Sequence, residues 1–217
     1  MSNDELFNLI DNKSLEFREY PATAFSNKSN YYDEAFMNFA INVSKLSSCS
    51  RLQVGSVIRS VDNRPILSGY NGTPSGMFHC KDYFHCLRWD DFDWDDFDHK
   101  YRNIEFEEFM KIPEVKDIHG KFSNIYEVHA EQNLVAIAAK RGISIDKSHL
   151  YVTHSPCNNC SKLIIQSGIS KVTFLHLYDR EVEGMKLMIE TGIEVEQLIL
   201  NKGEINGKKI YRNSEKN

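Results

Sequence analysis

The sequence lacks a hydrophobic run long enough to cross a membrane. No stretch approaches the roughly 18 consecutive apolar residues of a transmembrane helix, and the first residues, MSNDELFNLIDNK, lack the basic and apolar regions of a signal peptide. Hydrophobic residues still make up 41% of the 217-residue chain, which is enough for a sizeable core. We therefore expect a soluble, cytoplasmic protein with no membrane partner.

The sequence also lacks clusters of lysine and arginine. Its formal net charge is −5, with 26 basic and 31 acidic residues. A broad surface for nucleic acid or anionic lipid needs concentrated positive charge. The composition therefore argues against a nucleic-acid partner, whereas a small, locally bound anion remains compatible with it.

Cysteine is scarce, and its number is odd. The five cysteines are Cys49, Cys80, Cys86, Cys157 and Cys160. An odd number does not suit a framework of disulfides, and the last two form a C-x-x-C motif. In a reducing cytosol such a motif favours metal binding over a disulfide.

The chain shows no internal repeat and no low-complexity linker. Residues 1–30 are polar and are predicted to form an N-terminal extension with a helical patch at residues 5–17. Residues 31–217 are predicted to form one domain. An aromatic and acidic stretch at about residues 78–125 interrupts the pattern and is interpreted as an insertion. Its acidic run at residues 90–98 is interpreted as a solvated lid in preference to a subunit contact or a phosphate-repelling rim.

Hydrophobic periodicity predicts a helix at residues 31–46 and an antiparallel hairpin formed by residues 53–60 and 64–70. Further helices and strands alternate after the insertion. They are a helix from HAE to Gly142, a strand at residues 148–155, a helix opened by Pro156 and closed by Gly168, a strand at residues 171–178, a helix at residues 181–192 and a last strand at residues 194–200. This order predicts an α/β fold, a three-layer α/β/α sandwich around a mixed five-stranded sheet.

Two short stretches, EVHAEQN and SPCNNC, carry the residue types of a hydrolytic zinc site. Such a site needs three protein ligands and one open position for water, and His129, Cys157 and Cys160 supply that set. A C-x-x-C at a helix start directs both sulfurs to one point, where the helix dipole favours thiolates. Glu131, two residues after the histidine, is placed to move protons between the activated water and a leaving group.

Each of these signals has an ordinary alternative. A histidine at a helix start is usually a polar surface residue, and an isolated C-x-x-C is about as often a structural or redox pair. The combination is more specific, because H-x-E followed by P-C-x-x-C is the known signature of zinc deaminases.

At these residues the sequence resembles the cytidine deaminase superfamily and, within it, the phage-type deoxycytidylate (dCMP) deaminases. The resemblance covers approximately residues 31–200. Ser56, Leu134 and Ser161 stand where the family usually has alanine, and we interpret them as repacking. The segments that carry the resemblance are VGSVI, GYNGTPSG, VHAEQN, YVTHSPCNNCSKLIIQSGISKV and LYDR.

The resemblance implies the cytidine deaminase-like fold, a catalytic Zn²⁺, and hydrolytic deamination of dCMP to dUMP for dTTP synthesis. It also implies that Asn71 hydrogen-bonds the nucleotide sugar, that the N–H of Ala130 and the carbonyl of Ser155 hold the base edge, and that Tyr178 lines the base or sugar. Asn71 is also a good turn residue, and Tyr178 is also a plausible end of a strand.

Phage-type members of the family carry a second, structural zinc near the catalytic one. The residues that match its pattern here are Cys49, Cys80, His119 and Glu127. Two thiolates, one imidazole and one carboxylate have the ligand count of a closed structural site. His79, His85 and Cys86 lie nearby in the sequence and are alternative ligands.

Family members are commonly homohexamers that dCTP activates and that dTTP inhibits with Mg²⁺. The resemblance places such an effector at the glycine loop, where Gly69, Tyr70 and Gly72 are the candidates, because glycines let backbone N–H groups approach phosphates. The candidates for a phosphate contact are Lys140, Arg141 and Arg180, each of which is also readable as a solvated surface charge.

Three other functions compete with dCMP deamination. A different zinc deaminase would act on C5-modified dCMP, dCTP, a free nucleoside or tRNA adenosine, and the last of these calls for basic surface that the sequence lacks. A non-catalytic deaminase-like scaffold would lack Glu131 or a metal ligand, and none is missing. A zinc-ribbon module would place its ligands on hairpin turns rather than at helix starts.

Overall fold

The computed structural model describes residues 16–89, 104–178, 182–201 and 204–212. The predicted helical patch at residues 5–17 lies almost wholly outside these ranges, and the acidic run at residues 90–98 lies entirely outside them. Residues 16 and 17 belong to a strand rather than a helix. Among the described residues, no helix has the length and apolar character needed to traverse a bilayer.

A mixed sheet forms the centre of the protein. Its order is β1-β7-β6-β5-β4-β2-β3, with β4, β5 and β6 parallel and every other pairing antiparallel. The strands are β1 (Glu16–Pro21), β2 (Gly55–Arg59), β3 (Pro65–Tyr70), β4 (His149–His154), β5 (Lys171–His176), β6 (Glu194–Asn201) and β7 (Glu204–Arg212). The α/β class and the predicted hairpin are confirmed.

The predicted number of five strands is wrong, because the described sheet has seven. The two missed strands, β1 and β7, come from polar ends of the chain and pair with each other at one edge. Lys208 in β7 is only 1% exposed and forms an ion pair with Asp33. In a sequence, a lysine is normally interpreted as a solvent-exposed residue. Lys208 therefore concealed the buried face of β7, and hydrophobic periodicity did not indicate the strand.

Helices cover both faces of the sheet. One face packs on α1 (Asn27–Ser44), through contacts of Phe36 and Met37 with the Tyr151 side of β4. The opposite face, with Leu150 and Val152, packs on three helices. These are α5 (Ala130–Arg141), α6 (Asn158–Gln166) and α7 (Glu183–Glu190). The three-layer arrangement therefore follows from the alternation of side chains along each strand.

The described part of the insertion forms a small helical unit with its own core. Its helices are α2 (Cys80–Trp89), α3 (Phe106–Phe109) and α4 (Pro113–Tyr126). Phe84, Phe109 and Phe122 are buried together in this unit, and Cys49 and Cys80 belong to the same cluster. The core of the insertion thus places two cysteines from distant parts of the sequence side by side.

A buried histidine joins three strands at the end of the sheet where β4 begins. One guanidinium nitrogen of Arg59 donates to Nδ1 of His149 at 2.9 Å, and Nε2 of His149 donates to Oγ1 of Thr173 at 2.7 Å. The bond from Arg59 requires the neutral imidazole, because Nδ1 can accept only when it carries no proton. Burial holds the pKa of His149 well below its usual value, and the charges of Lys171 and Arg59 act in the same direction.

We expect this histidine to make the protein less stable in mild acid. His149 stays neutral in the folded state, whereas in the unfolded chain it takes up a proton near pH 6.5. The free energy of unfolding is therefore unaffected by this group above pH 6.5 and decreases as the pH falls below that value. The His149→Gln variant, which keeps a donor and an acceptor, should reduce the pH dependence of the free energy of unfolding by up to about 1.4 kcal/mol per pH unit. Urea titrations between pH 8 and 5 measure this, and equal slopes for both proteins would contradict it.

Candidate active site and metal centres

Three predicted zinc ligands converge where two helices begin. His129 is the N-cap of α5 and Cys157 is the N-cap of α6. Nδ1 of His129 lies 3.4 Å from Sγ of Cys157 and 3.4 Å from Sγ of Cys160. We call these residues the first cluster. Pro156 precedes the N-cap, so the prediction that it opens the helix is wrong by two residues, because Cys157 keeps an extended backbone.

The spacing of the first cluster fits zinc. Ligand atoms held 2.0–2.3 Å from one ion at tetrahedral angles are about 3.5 Å apart, close to the observed separations. A hydrogen bond with Cys160 lowers the pKa of Cys157 to about 4. A hydrogen bond with Cys157 raises the pKa of His129 to about 9. On their own, these side chains therefore favour a thiolate beside a protonated imidazole ring.

Glu131 lies in the first turn of α5 and is only 4% exposed. Burial raises the pKa of its carboxyl group to about 7, and its partners include the thiol of Cys160. A carboxyl group that gains and loses a proton near neutral pH is suited to general acid–base chemistry. The geometry therefore puts a carboxyl group with a pKa near neutrality directly beside the first cluster.

A second set of potential ligands lies where the insertion meets the rest of the domain, and it matches the residues predicted from sequence. The donor atoms of Cys49, Cys80, His119 and Glu127 all lie within 4.8 Å of one another, and the four side chains are largely enclosed. Nε2 of His119 is 3.4 Å from Sγ of Cys49 and 3.5 Å from Sγ of Cys80. We call these residues the second cluster.

The second cluster also has the donor chemistry of a closed metal site. A hydrogen bond with Cys80 raises the pKa of Cys49 and lowers that of Cys80, so one of the two sulfurs readily becomes a thiolate. Oε2 of Glu127 accepts a hydrogen bond from Ser123 at 2.7 Å, whereas its buried Oε1 has no hydrogen-bond partner among the described residues. A buried carboxylate oxygen normally needs a partner, and a bound cation would supply one.

The glycine loop ties the two clusters together. Gly72 and Val128 form an isolated antiparallel bridge, with N–H···O distances of 3.1 Å and 2.8 Å. Val128 separates Glu127 of the second cluster from His129 of the first. The bridge therefore fixes one ligand of each cluster at once.

The four predicted substrate residues lie on elements that surround the first cluster. The side chain of Asn71 accepts from the N–H of Val54 and donates to the carbonyl of Leu52, both at 2.8 Å, so it also orders its own loop. Ala130 is the first residue of α5, and Ser155 directly follows β4. Tyr178 is half-buried, and its N–H donates to Oγ of Ser155.

The residues predicted to contact an effector or a phosphate do not come together at the first cluster. Lys140 and Arg141 are exposed in the last turn of α5, roughly 15 Å along the helix from its start. Gly69 lies inside β3, where a Cβ atom would come within 2.4 Å of the carbonyl oxygen of Ala130, so this glycine permits close helix packing. Tyr70 is exposed beside it. Arg180 lies outside the described residues.

Three supporting residues were not predicted. The carbonyl oxygen of the Gln132 side chain accepts from the N–H of His129 at 2.9 Å, an interaction that the three-residue spacing could have suggested. Ser123 donates to Glu127, and Asn158 accepts from the N–H of Gly184. The last two contacts carry no local sequence signal.

The fold and the first cluster together define an α/β protein with a ligand set typical of zinc hydrolases. The family model described as the cytidine and deoxycytidylate deaminase zinc-binding region matches residues 30–176, which include every residue of both clusters. The chain belongs to this family.

The relatives include phage and bacterial proteins. Deoxycytidylate deaminase of Enterobacteria phage T4 is 36% identical, covering 73% of this chain and 86% of that protein. ComE operon protein 2 of Bacillus subtilis is 32% identical, covering 78% of this chain and 72% of that protein. The crystal structure of dCMP deaminase from the cyanophage S-TIM5 in complex with dCMP and dUMP matches with a TM-score of 0.56 and 30% identity, covering 80% of this chain and 99% of that chain.

Two serines at positions where the family usually has alanine should affect stability in opposite directions. Ser56 donates to the carbonyl oxygen of Ala130 at 3.0 Å, whereas the fully buried hydroxyl of Ser161 has no partner among the described residues. We expect Ser56→Ala to lower the free energy of unfolding by about 1 kcal/mol and Ser161→Ala to raise it by about 1 kcal/mol. Urea unfolding of the metal-loaded variants measures both, and a shift of the same sign in the two would contradict this.

Proposed function

We propose that this protein deaminates dCMP hydrolytically to dUMP and ammonia, and so supplies the precursor for dTTP. The observation that carries the proposal is the buried carboxyl group of Glu131 beside the three convergent ligand atoms of the first cluster. The relatives named deoxycytidylate deaminase support the choice of substrate. We treat residues 31–217 as the deaminase domain and propose that it acts in the cytoplasm, of the host if a phage encodes it.

In the proposed reaction, His129, Cys157 and Cys160 would hold the catalytic zinc. Zinc supplies Lewis acidity, which makes water a nucleophile at neutral pH. The carboxylate of Glu131 takes the proton of the attacking water and returns it to the amino group that leaves from C4 of the base. Because this carboxyl group is buried, its proton does not exchange freely with solvent during the transfer.

Substrate positioning is assigned to residues around the first cluster. The N–H of Ala130 and the carbonyl of Ser155 hold the edge of the cytosine, Asn71 contacts the sugar through the donor and acceptor capacity that its loop leaves free, and Tyr178 lines the base or sugar. A regulatory site for dCTP or for dTTP with Mg²⁺ is assigned to the loop after β3, at Tyr70 and Gly72. Assembly into a homohexamer completes the proposal.

The second cluster is proposed to hold a structural zinc. Its four ligands leave no position for water, and its orphaned Glu127 oxygen fits a cation. Since Cys49 precedes β2, while Cys80 and His119 belong to the insertion, this zinc would fasten the insertion to the sheet. Its binding energy would then contribute directly to folding.

The substrate is tested by ammonia release from dCMP, deoxycytidine, dCTP and C5-hydroxymethyl dCMP at equal concentrations. We expect dCMP to react fastest, because the proposed function requires recognition of one phosphate as well as the base. The assay is repeated with dCTP as effector. Equal turnover of the free nucleoside would contradict a monophosphate enzyme, and preference for the hydroxymethyl form would favour a modified-dCMP deaminase.

The Glu131→Gln variant is the matched control for this assay. It keeps the size and polarity of the side chain but removes the proton carrier, so we expect a loss of about 3 orders of magnitude in kcat with the zinc content unchanged. Retention of most of the wild-type rate would exclude Glu131 as the proton shuttle.

Metal analysis of two cysteine variants tests the second zinc. We expect wild-type protein to contain two zinc ions per chain and Cys49→Ser to contain one, with a lower melting temperature, because Cys49 is buried within the second cluster. Cys86 is an exposed free cysteine on α2 outside both clusters, so Cys86→Ser is the matched control and should keep both ions. Loss of the same amount of zinc from both variants, or one zinc in the wild type, would refute the site.

A further inference from the structure

The turn that carries the thiol ligands is also bonded to the connection between β5 and α7. Oγ of Ser155, two residues before Cys157, accepts from the N–H of Tyr178 at 2.7 Å. Oδ1 of Asn158, one residue after Cys157, accepts from the N–H of Gly184 at 2.7 Å. The polar side chains on either side of Cys157 therefore bind the backbone of Tyr178 and of Gly184, both of which follow β5 in the chain.

The bond from Asn158 satisfies a need of α7. A helix begins with four N–H groups that have no partner within the helix. The N-cap of α7, Val182, provides no side-chain hydrogen bond, so the amide oxygen of Asn158 acts as a cap supplied by the neighbouring helix.

Close packing makes this geometry specific. A Cβ atom on Gly184 would lie 2.5 Å from Oγ of Ser161 and 2.9 Å from Cα of Asn158. Only glycine lets the backbone of α7 come so near to α6. The N–H of Gly184 is thereby held against the side chain of Asn158, and the two helices cannot slide without breaking this bond.

The family match ends at residue 176, whereas Tyr178 and Gly184 lie beyond it. The contacts thus link the region that the family model matches to residues beyond its end. Tyr178 is also the residue on this side to which the proposed function assigns a contact with the base or sugar.

We propose that Asn158 is a positioning residue for the substrate: it holds the start of α7 against the turn that carries Cys157 and Cys160, while the hydroxyl of Ser155 holds Tyr178 against the same turn. The role of Tyr178 in this inference rests on the proposed function. Asn158 itself acts through Gly184 and α7. Its loss should therefore weaken substrate binding more than it slows the chemical step.

The sequence provides a matched control in the same motif. Asn159 is the next residue, has the same side chain and is exposed, whereas Asn158 is half-buried and bonded to Gly184. The comparison of Asn158→Ala with Asn159→Ala therefore separates two effects. One is the loss of the hydrogen bond to Gly184, and the other is the effect of any alanine placed between Cys157 and Cys160. Asn158→Asp keeps the acceptor oxygen, and an acidic side chain is favourable in the first turn of a helix.

The experiment measures three properties of the zinc-loaded variants: amide hydrogen exchange at Gly184 and Tyr178, zinc content, and kcat and KM for dCMP. For Asn158→Ala we expect faster exchange at Gly184 and a KM about 3- to 10-fold higher, because the hydrogen bond to Gly184 is lost. We expect kcat within about twofold of wild type and unchanged zinc. Asn158→Asp should restore slow exchange and the lower KM, and Asn159→Ala should match wild type.

Two results would overturn the inference. One is equal exchange at Gly184 and equal KM in Asn158→Ala and Asn159→Ala. The other is loss of zinc from Asn158→Ala with no change in KM. Asn158 would then support only the turn that carries Cys157 and Cys160, with no effect on the substrate. Failure of the proposed function is a separate outcome, since wild-type protein would then release no ammonia from dCMP while hydrogen exchange would still test the contact.

Discussion

The site depends on two helices that begin at the same place. His129 and Cys157 are both N-cap residues, so the ligands sit where the backbone N–H groups of α5 and α6 are unpaired and the helix dipoles are positive. That environment favours negative sulfur and a nearby anion. The positions at which α5 and α6 begin on the sheet therefore determine the distances between the ligands. A shift of either helix along its axis would separate them.

Packing beneath α5 prevents such a shift. Gly69 lets β3 approach the first turn of the helix, and Ser56 donates to the carbonyl oxygen of Ala130 in the same turn. Just before the start of α5, the bridge between Gly72 and Val128 fixes the backbone between Glu127 and His129. Gly69 and Gly72 of the glycine loop accordingly have structural roles, and the two clusters share one short segment of backbone whose displacement would alter both.

The sequence predicted the parts of the protein whose signals are local. Helical spacing identified α1, and Gly142, which has φ 63°, marked the end of α5. The H-x-E and P-C-x-x-C motifs identified the first cluster, and the resemblance to phage-type deaminases identified the second. These sequence signals missed β1 and β7, because Lys208 is buried through a partner, Asp33, that lies 175 residues away. Lys140 was considered for its charge alone, although its place in the last turn of α5 puts it far from the helix start.

The burial of Glu131 shows how stability and chemistry compete in this fold. A carboxyl group that is 4% exposed loses most of its hydration, and this burial raises its pKa to about 7 because the surroundings disfavour its charge. This costs folding free energy that an apolar side chain would not cost. The same burial brings the two protonation states close to balance at neutral pH, which a proton carrier requires. The large apolar core on this face of the sheet, formed by α5, α6 and α7, offsets that cost and keeps the carboxyl group in place.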